Sequence, residues 1–159
     1  MLTTYDDVAA GADLELSADA IVIGSGAGGA PFAATLAEAG WDVAILEEGS
    51  YVPTEEFDGD VSRAVRMLYR DGGATMALGL PPIMYQEGRC VGGSTTINGG
   101  MSFKTPPRIL ERWAASGLER IGPADMEPYF ARAEEGLSVA FQDPESIGLD
   151  SKLVAEGAR

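Results

Sequence analysis

A chain of 159 residues is long enough to bury one core and suits a single domain, while 45% apolar residues with 21 glycines and 9 prolines exclude fibrous and disordered classes in favour of a loop-rich globular one. The formal charge of -14 is spread along the sequence without a basic stripe that would neutralise consecutive phosphates, so nucleic acid is excluded as an expected partner.

Residues 1–18 read as an amino-terminal extension. Asp6, Asp7, Asp13 and Glu15 stand where a secretory leader would be basic and then apolar. Ala20-Ile21-Val22-Ile23 is a short β-branched run ending at Gly24, and the alanine-rich segment from Ala27 to Ala39 has no internal β-branched run. The pattern predicts strand, tight turn and helix, stopped by Gly40. Trp41 to Leu46 is a second apolar run that closes in Glu47-Glu48-Gly49, giving a β-α-β unit with parallel strands.

Further along, Asp60 is placed to cap a short helix carrying Val61, Val65 and Leu68 at helical spacing. The acidic residues Glu55, Glu56, Asp58 and Asp60 read as a solvated loop, because catalytic carboxylate pairs need burial and fixed mutual geometry. Gly72-Gly73 ends the helix, and Ala74 to Leu78 and Ile83 to Gln86 predict a hairpin or small sheet excursion. After the glycine-dense stretch Gly88 to Gly100, Thr105 is expected to cap a helix opening on Pro106-Pro107 and burying Ile109, Leu110 and Trp113. Another helix is predicted from about Ala124 to Leu137 with Met126, Tyr129, Phe130 and Ala133 on one face. Asp150 is placed to cap a last helix from Ser151. No apolar run reaches the ~18 residues of a membrane span, and the single cysteine, Cys90, forms no internal disulfide. Cytoplasmic residence is the expectation.

The chemistry concentrates in two glycine-rich segments. Gly24-Ser25-Gly26-Ala27-Gly28-Gly29 satisfies G-x-G-x-x-G, a weak match alone in a chain so rich in glycine. Its context strengthens it: a strand enters, a helix leaves, and an acidic residue, Glu47, ends the next strand about twenty residues on. In such a turn Gly24 permits the bend, Gly26 admits a pyrophosphate to the backbone, and Gly29 lets helix pack on strand. The helix start offers free N–H groups to the pyrophosphate. Glu47 would accept hydrogen bonds from ribose, and with Glu48 beside it and no arginine adjacent, a 2′-phosphate is repelled. NAD or FAD remain, and so does a glycine turn that only packs a helix on a strand.

The second segment is Gly88-Arg89-Cys90-Val91-Gly92-Gly93-Ser94-Thr95-Thr96-Ile97-Asn98. Its glycines and hydroxyls offer backbone amides and side chains to a diphosphate or ribityl chain, and a plain NAD-binding fold has no use for this second cradle. Together with Ala20 to Gly29 and Leu46 to Gly49 it resembles the glucose-methanol-choline (GMC) oxidoreductases, over about Asp19 to Val139. Asn98 through Ser102-Phe103-Lys104-Thr105-Pro106 is similar to the branch of long-chain alcohol oxidases and related bacterial dehydrogenases. The resemblance implies an FAD enzyme that oxidises alcohols by hydride transfer to flavin. It implies that Gly88, Arg89, Gly92, Gly93, Ser94, Thr95 and Asn98 line the FAD site, with Asn98, Gly99, Gly100 and Met101 close to the isoalloxazine. In the family the base is a histidine near the carboxyl end, and some members tether flavin through another histidine; this chain has none. Cys90 reads as a buried small residue.

The expected fold class is therefore α/β: a Rossmann-like FAD-binding β-α-β unit with a glycine-rich loop and added helices, an incomplete domain over 19–159 that continues in a substrate domain elsewhere. No catalytic residue and no metal ligand is assigned within the chain. The expected partners are an alcohol substrate and a carboxyl-terminal part or second chain that supplies the base. The alternative is a non-catalytic dinucleotide-binding module that completes a partner chain.

Overall fold

The computed structural model describes residues 2–8 and 12–158. The expected extension at 1–18 and the final helix thus each include positions outside the described residues. The chain forms two compact units, Met1–Gly100 and Met101–Arg159.

The first unit is built on strand β1 (Ala20–Ile23), helix α1 (Gly29–Glu38) and strand β2 (Val43–Leu46). The two strands pair in parallel, Ala20 opposite Val43 and Ile23 opposite Leu46, as a crossover helix between them requires. Side chains alternate across a strand, so Val22 is buried and its neighbours Ile21 and Ile23 are not. Ala33 is the buried residue of α1, where a small side chain permits close approach to the sheet. The predicted helix starts two residues too early. Ala27 and Gly28 form the turn ahead of it, and β2 begins at Val43 because Asp42 is engaged by Asp19, whose carboxylate accepts its N–H at 2.9 Å.

Helix α2 (Val61–Leu68) follows, and the Asp60 carboxylate accepts the Arg63 N–H at 3.0 Å as the predicted cap. Leu68 is buried at its end. Strands β3 (Thr75–Ala77) and β4 (Ile83–Tyr85) form an antiparallel hairpin, with Met76 opposite Met84. Two isolated bridges, Ser50 to Cys90 and Tyr69 to Gly88, bring the second glycine segment back beside the end of β2 and the end of α2. Within that segment Ser94–Ile97 forms a short helix, α3, where the sequence reading placed only a loop.

The second unit contains α4 (Pro107–Ala115), α5 (Pro123–Gly136) and α6 (Leu149–Gly157). Of the three residues expected to be buried on α4, Leu110 is buried, Ile109 is half-buried, and Trp113 is 42% exposed. On α5 Met126 and Phe130 are half-buried, whereas Tyr129 and Ala133 are exposed. Lys104 pairs with Glu127 at 2.8 Å and Glu134 at 3.3 Å, tying the approach to α4 onto α5. Two expected caps are corrected. Pro106, not Thr105, precedes α4, and Gly148, not Asp150, precedes α6.

Candidate functional site

β1 ends where Gly24 takes a φ of 87°, a left-handed conformation that side-chain-bearing residues avoid, and its N–H donates to the Leu46 carbonyl at 2.7 Å. The chain then turns back into α1. A Cβ at Gly29 would strike the Gly24 carbonyl and lie 3.2 Å from Val22 Cγ1, so the helix can start this close to the strand only without one. Gly26 differs. Its φ is not positive and a Cβ there would meet nothing within 4 Å, so neither backbone conformation nor packing calls for glycine. What glycine preserves at Gly26 is open access to the backbone from outside. The first turn of α1 has no side-chain cap; Pro31 carries no N–H and the Ala30 and Phe32 amides donate to the Gly26 and Gly28 carbonyls, so the helix start offers the Gly29 amide and a partial positive charge to an anion such as a diphosphate.

Ser25 ties this turn to the other two segments. It is 6% exposed. Its N–H and its hydroxyl donate to Glu47 Oε2 at 2.9 and 2.7 Å, and its Oγ accepts the Gly92 N–H at 2.9 Å. Glu47 Oε1 accepts the Gly49 N–H at 2.9 Å. Partial burial of Glu47 pushes its carboxyl up, but the donors from Ser25, Gly49 and Glu48 outweigh this and hold it below the ordinary value. Glu47 is therefore ionised at neutral pH. The second glycine loop lies directly on the first turn: a Cβ on Gly93 would sit 3.2 Å from Gly26 Cα. Gly88 is packed against Gly93, and its N–H donates to Ser94 Oγ at 3.0 Å.

These segments enclose one cleft of about 380 Å³, wholly within the first unit, in the ~300–1,000 Å³ range of small-molecule sites. Ile23 and Leu46 give it an apolar wall; Gly24 and Gly26, Glu47 and Glu48, and Gly88, Gly93 and Ser94 bring the sequence-predicted groups to it. Two further lining residues, Arg70 and Glu87, were missed. Arg70 Nη2 pairs with Glu48 Oε1 and its Nε with Glu87, while Nη1 donates to Glu48 Oε2 at 3.4 Å. Arg89 Nε lies 3.5 Å from the same Glu48 oxygen. The hydrogen bond from Arg70 holds the Glu48 carboxyl below its usual value, helped by the charges of Arg70 and Arg89.

The expectation that no arginine stands by the Glu47-Glu48 pair is thus corrected in space, although it holds along the chain. Arg70 arrives because Tyr69 bridges Gly88, the Arg70 N–H donates to the Glu87 carbonyl at 2.9 Å, and the Arg89 N–H donates to the Leu68 carbonyl at 2.7 Å. No spacing rule connects Arg70 to Glu48.

The other expected site residues fall around or away from the cleft. Gly92 is bonded to Ser25 as described, and the Thr95 hydroxyl donates to the Gly92 carbonyl. Asn98, Gly99 and Gly100 are exposed at the end of the first unit and are not among the lining residues, with Asn98 Oδ1 accepting the Gly100 N–H at 2.8 Å. Met101 is exposed and belongs to the second unit. Cys90 is 1% exposed, and burial pushes its thiol up. In the acidic loop Arg63 pairs with Glu56 and Asp58 at 3.2 and 2.8 Å, all well exposed. A separate hollow of about 340 Å³ between that loop and α2 is lined by Val52, Phe57, Val61 and Met67 among others and shares no residue with the cleft. Among the described residues no group of side chains is arranged to hold a metal ion, and no helix is long and apolar enough to cross a membrane.

What the cleft offers is exposed backbone at Gly24 and Gly26, an ionised carboxylate beside it, and a second glycine-hydroxyl loop on the other side. The residues fit a dinucleotide. Comparison with known proteins gives the same direction. Residues 65–159 match the GMC oxidoreductase family and residues 19–55 match the FAD binding domain. A GMC-type oxidoreductase of Sinorhizobium fredii is 39% identical over 91% of this chain and 29% of its own length. One of Mycobacterium tuberculosis is 42% identical over 89% of this chain and 23% of its own. A long-chain-alcohol oxidase of Arabidopsis thaliana is 36% identical over 69% of this chain and 15% of its own. The chain thus spans less than a third of the length of these relatives. With the family matched across more than half of its residues and an FAD-binding segment on the first glycine turn, the chain belongs to the GMC oxidoreductases and is an FAD-binding region of that family.

Proposed function

We propose that this chain holds FAD for an oxidoreductase that removes hydride from the carbinol carbon of an alcohol. The observation that carries the reading is the single cleft in which the Gly24–Gly26 turn, Glu47 and the Gly93–Ser94 loop meet. In and around it, Gly24 and Gly26, with the adjoining Ala27, Gly28 and Gly29 backbone, receive the diphosphate, Glu47 orients the ribose, and Gly93 and Ser94, with the adjoining Gly92 and Thr95, serve the ribityl side. Similarity to a protein named long-chain-alcohol oxidase supports the alcohol as substrate. When bound, FAD supplies the hydride acceptor. The chain contains no histidine, so its own task is to bind and orient, and the proton acceptor comes from outside these residues, in the same polypeptide or a partner. A cytoplasmic setting completes the reading, supported by a single cysteine that is buried.

The test is cofactor uptake. The purified chain incubated with FAD and passed through a desalting column should retain yellow flavin absorbance at near one flavin per chain, and should retain no NAD under the same treatment. A folded chain that keeps NAD and releases FAD overturns the proposal.

A further inference from the structure

Arg70 has no role in the glycine-turn pattern, yet it lines the cleft between two carboxylates. A guanidinium is flat and donates through its rim. Here Nε is taken by Glu87 and one N–H of each Nη atom by Glu48, so three of the five N–H groups are engaged, its position is fixed, and its face and two outer N–H groups are left to meet a ligand. The charge of the surroundings indicates what that ligand part is. Glu47, Glu48 and Glu87 oppose Arg70 and Arg89 at this end, a net excess of one carboxylate that disfavours a phosphate. The diphosphate belongs instead over the open backbone of Gly26, toward the positive end of α1. The end of a dinucleotide that lies past the acidic residue of β2 is the adenosine end, which is neutral and ends in a flat aromatic base.

We infer that Arg70 is the adenine platform of this site, its guanidinium face stacking on the base while Glu48 and Glu87 hold it in position. The assignment rests on the dinucleotide reading above and adds a named contact to it. A planar cation stacks on an aromatic ring through both dispersion and cation–π attraction, and a base–side-chain stack of this type is sequence-tolerant but lost on truncation. Lysine carries the same charge without the plane, so the two contributions separate by substitution.

The experiment uses the full chain and three probes, FAD, ADP and FMN, by isothermal titration, with far-UV circular dichroism and melting curves for each variant. Arg70→Ala is expected to weaken FAD and ADP about tenfold and to leave FMN, which has no adenine, within twofold of wild type. Arg70→Lys is expected to lose as much as Arg70→Ala, and because it preserves charge and stem it decides the matter if the alanine variant does not fold. A lysine variant that binds ADP as wild type does, or an alanine variant that folds and binds ADP unchanged, overturns the stacking assignment alone. A wild-type chain that binds neither FAD nor ADP overturns the dinucleotide reading, and the assignment with it.

Discussion

Glu47 receives hydrogen bonds on both carboxylate oxygens, three of them from the backbone and hydroxyl groups of Ser25 and Gly49, so its ionisation is linked to folding. Its folded-state value lies below the ordinary 4.5. Stability from this group is therefore fully present above that pH and is lost as pH falls through the lower folded value. Glu47→Gln should cost about 1–3 kcal/mol at pH 7, as expected for hydrogen bonds to a charged group. It should also flatten the loss of stability below pH 4.5. Urea midpoints of both proteins from pH 7 to pH 3 test this, and parallel curves would exclude Glu47 as the titrating group. Arg70 and Glu48 illustrate the limit of reading single residues from sequence. Each is unremarkable in its own segment, and their pairing exists only because the Tyr69–Gly88 bridge closes a loop. The glycine turn was legible for the opposite reason: Gly29 has to clear the Gly24 carbonyl and Val22, neighbours within a few residues, so local spacing together with the strand before it and the helix after it carries the geometry.

Helix α2 owes its start to one local hydrogen bond, from the Arg63 N–H to the Asp60 carboxylate, and Asp60→Ala should cost about 1 kcal/mol in urea midpoint. Arg63→Ala, which breaks only the exposed pairs with Glu56 and Asp58, should stay within about 0.5 kcal/mol; a reversed order would show that the ion pairs, not the cap, fix the element. The two misplaced caps have physical causes. Pro106 precedes Pro107, and a residue before proline is driven out of the helical region; Pro106 is held at φ -56°, ψ 139°, which delays α4 by one residue and puts Thr105 out of reach. Asp150 lies inside the first turn of α6, where its charge suits the helix dipole and needs no capping geometry. Helix α3 escaped notice because Thr95, Thr96 and Ile97 are β-branched and poor helix formers. It is held by tertiary and turn contacts instead, with Thr96 Oγ1 donating to the Val91 carbonyl at 3.0 Å. The β-α-β order, by contrast, was visible in full, since hydrophobic runs and glycine stops are both local signals.

Across the whole chain the buried apolar side chains among the described residues are few, Val22, Ala33, Leu68 and Cys90 in one unit and Leu110 in the other. Parallel sheets are normally covered on both faces, yet Ile21 and Ile23 are 60% and 85% exposed. A small core makes ligand linkage a large fraction of the total: FAD at a hundred times its Kd adds about 2.7 kcal/mol if it binds only the folded state. The melting temperature followed by circular dichroism should therefore climb steadily with added FAD, and a melting temperature indifferent to FAD up to millimolar levels would contradict the cofactor assignment. The buried Ser25 hydroxyl carries one more implication, for synthesis. Its acceptor, Glu47, emerges 22 residues later, but the amide that it must itself receive belongs to Gly92, 67 positions downstream. Closing so long a loop is slow compared with forming the β-α-β turn. A nascent chain released before residue 92 would leave the serine wet and unlatched, so the joint between the two glycine segments closes only after the ribosome has finished the second of them.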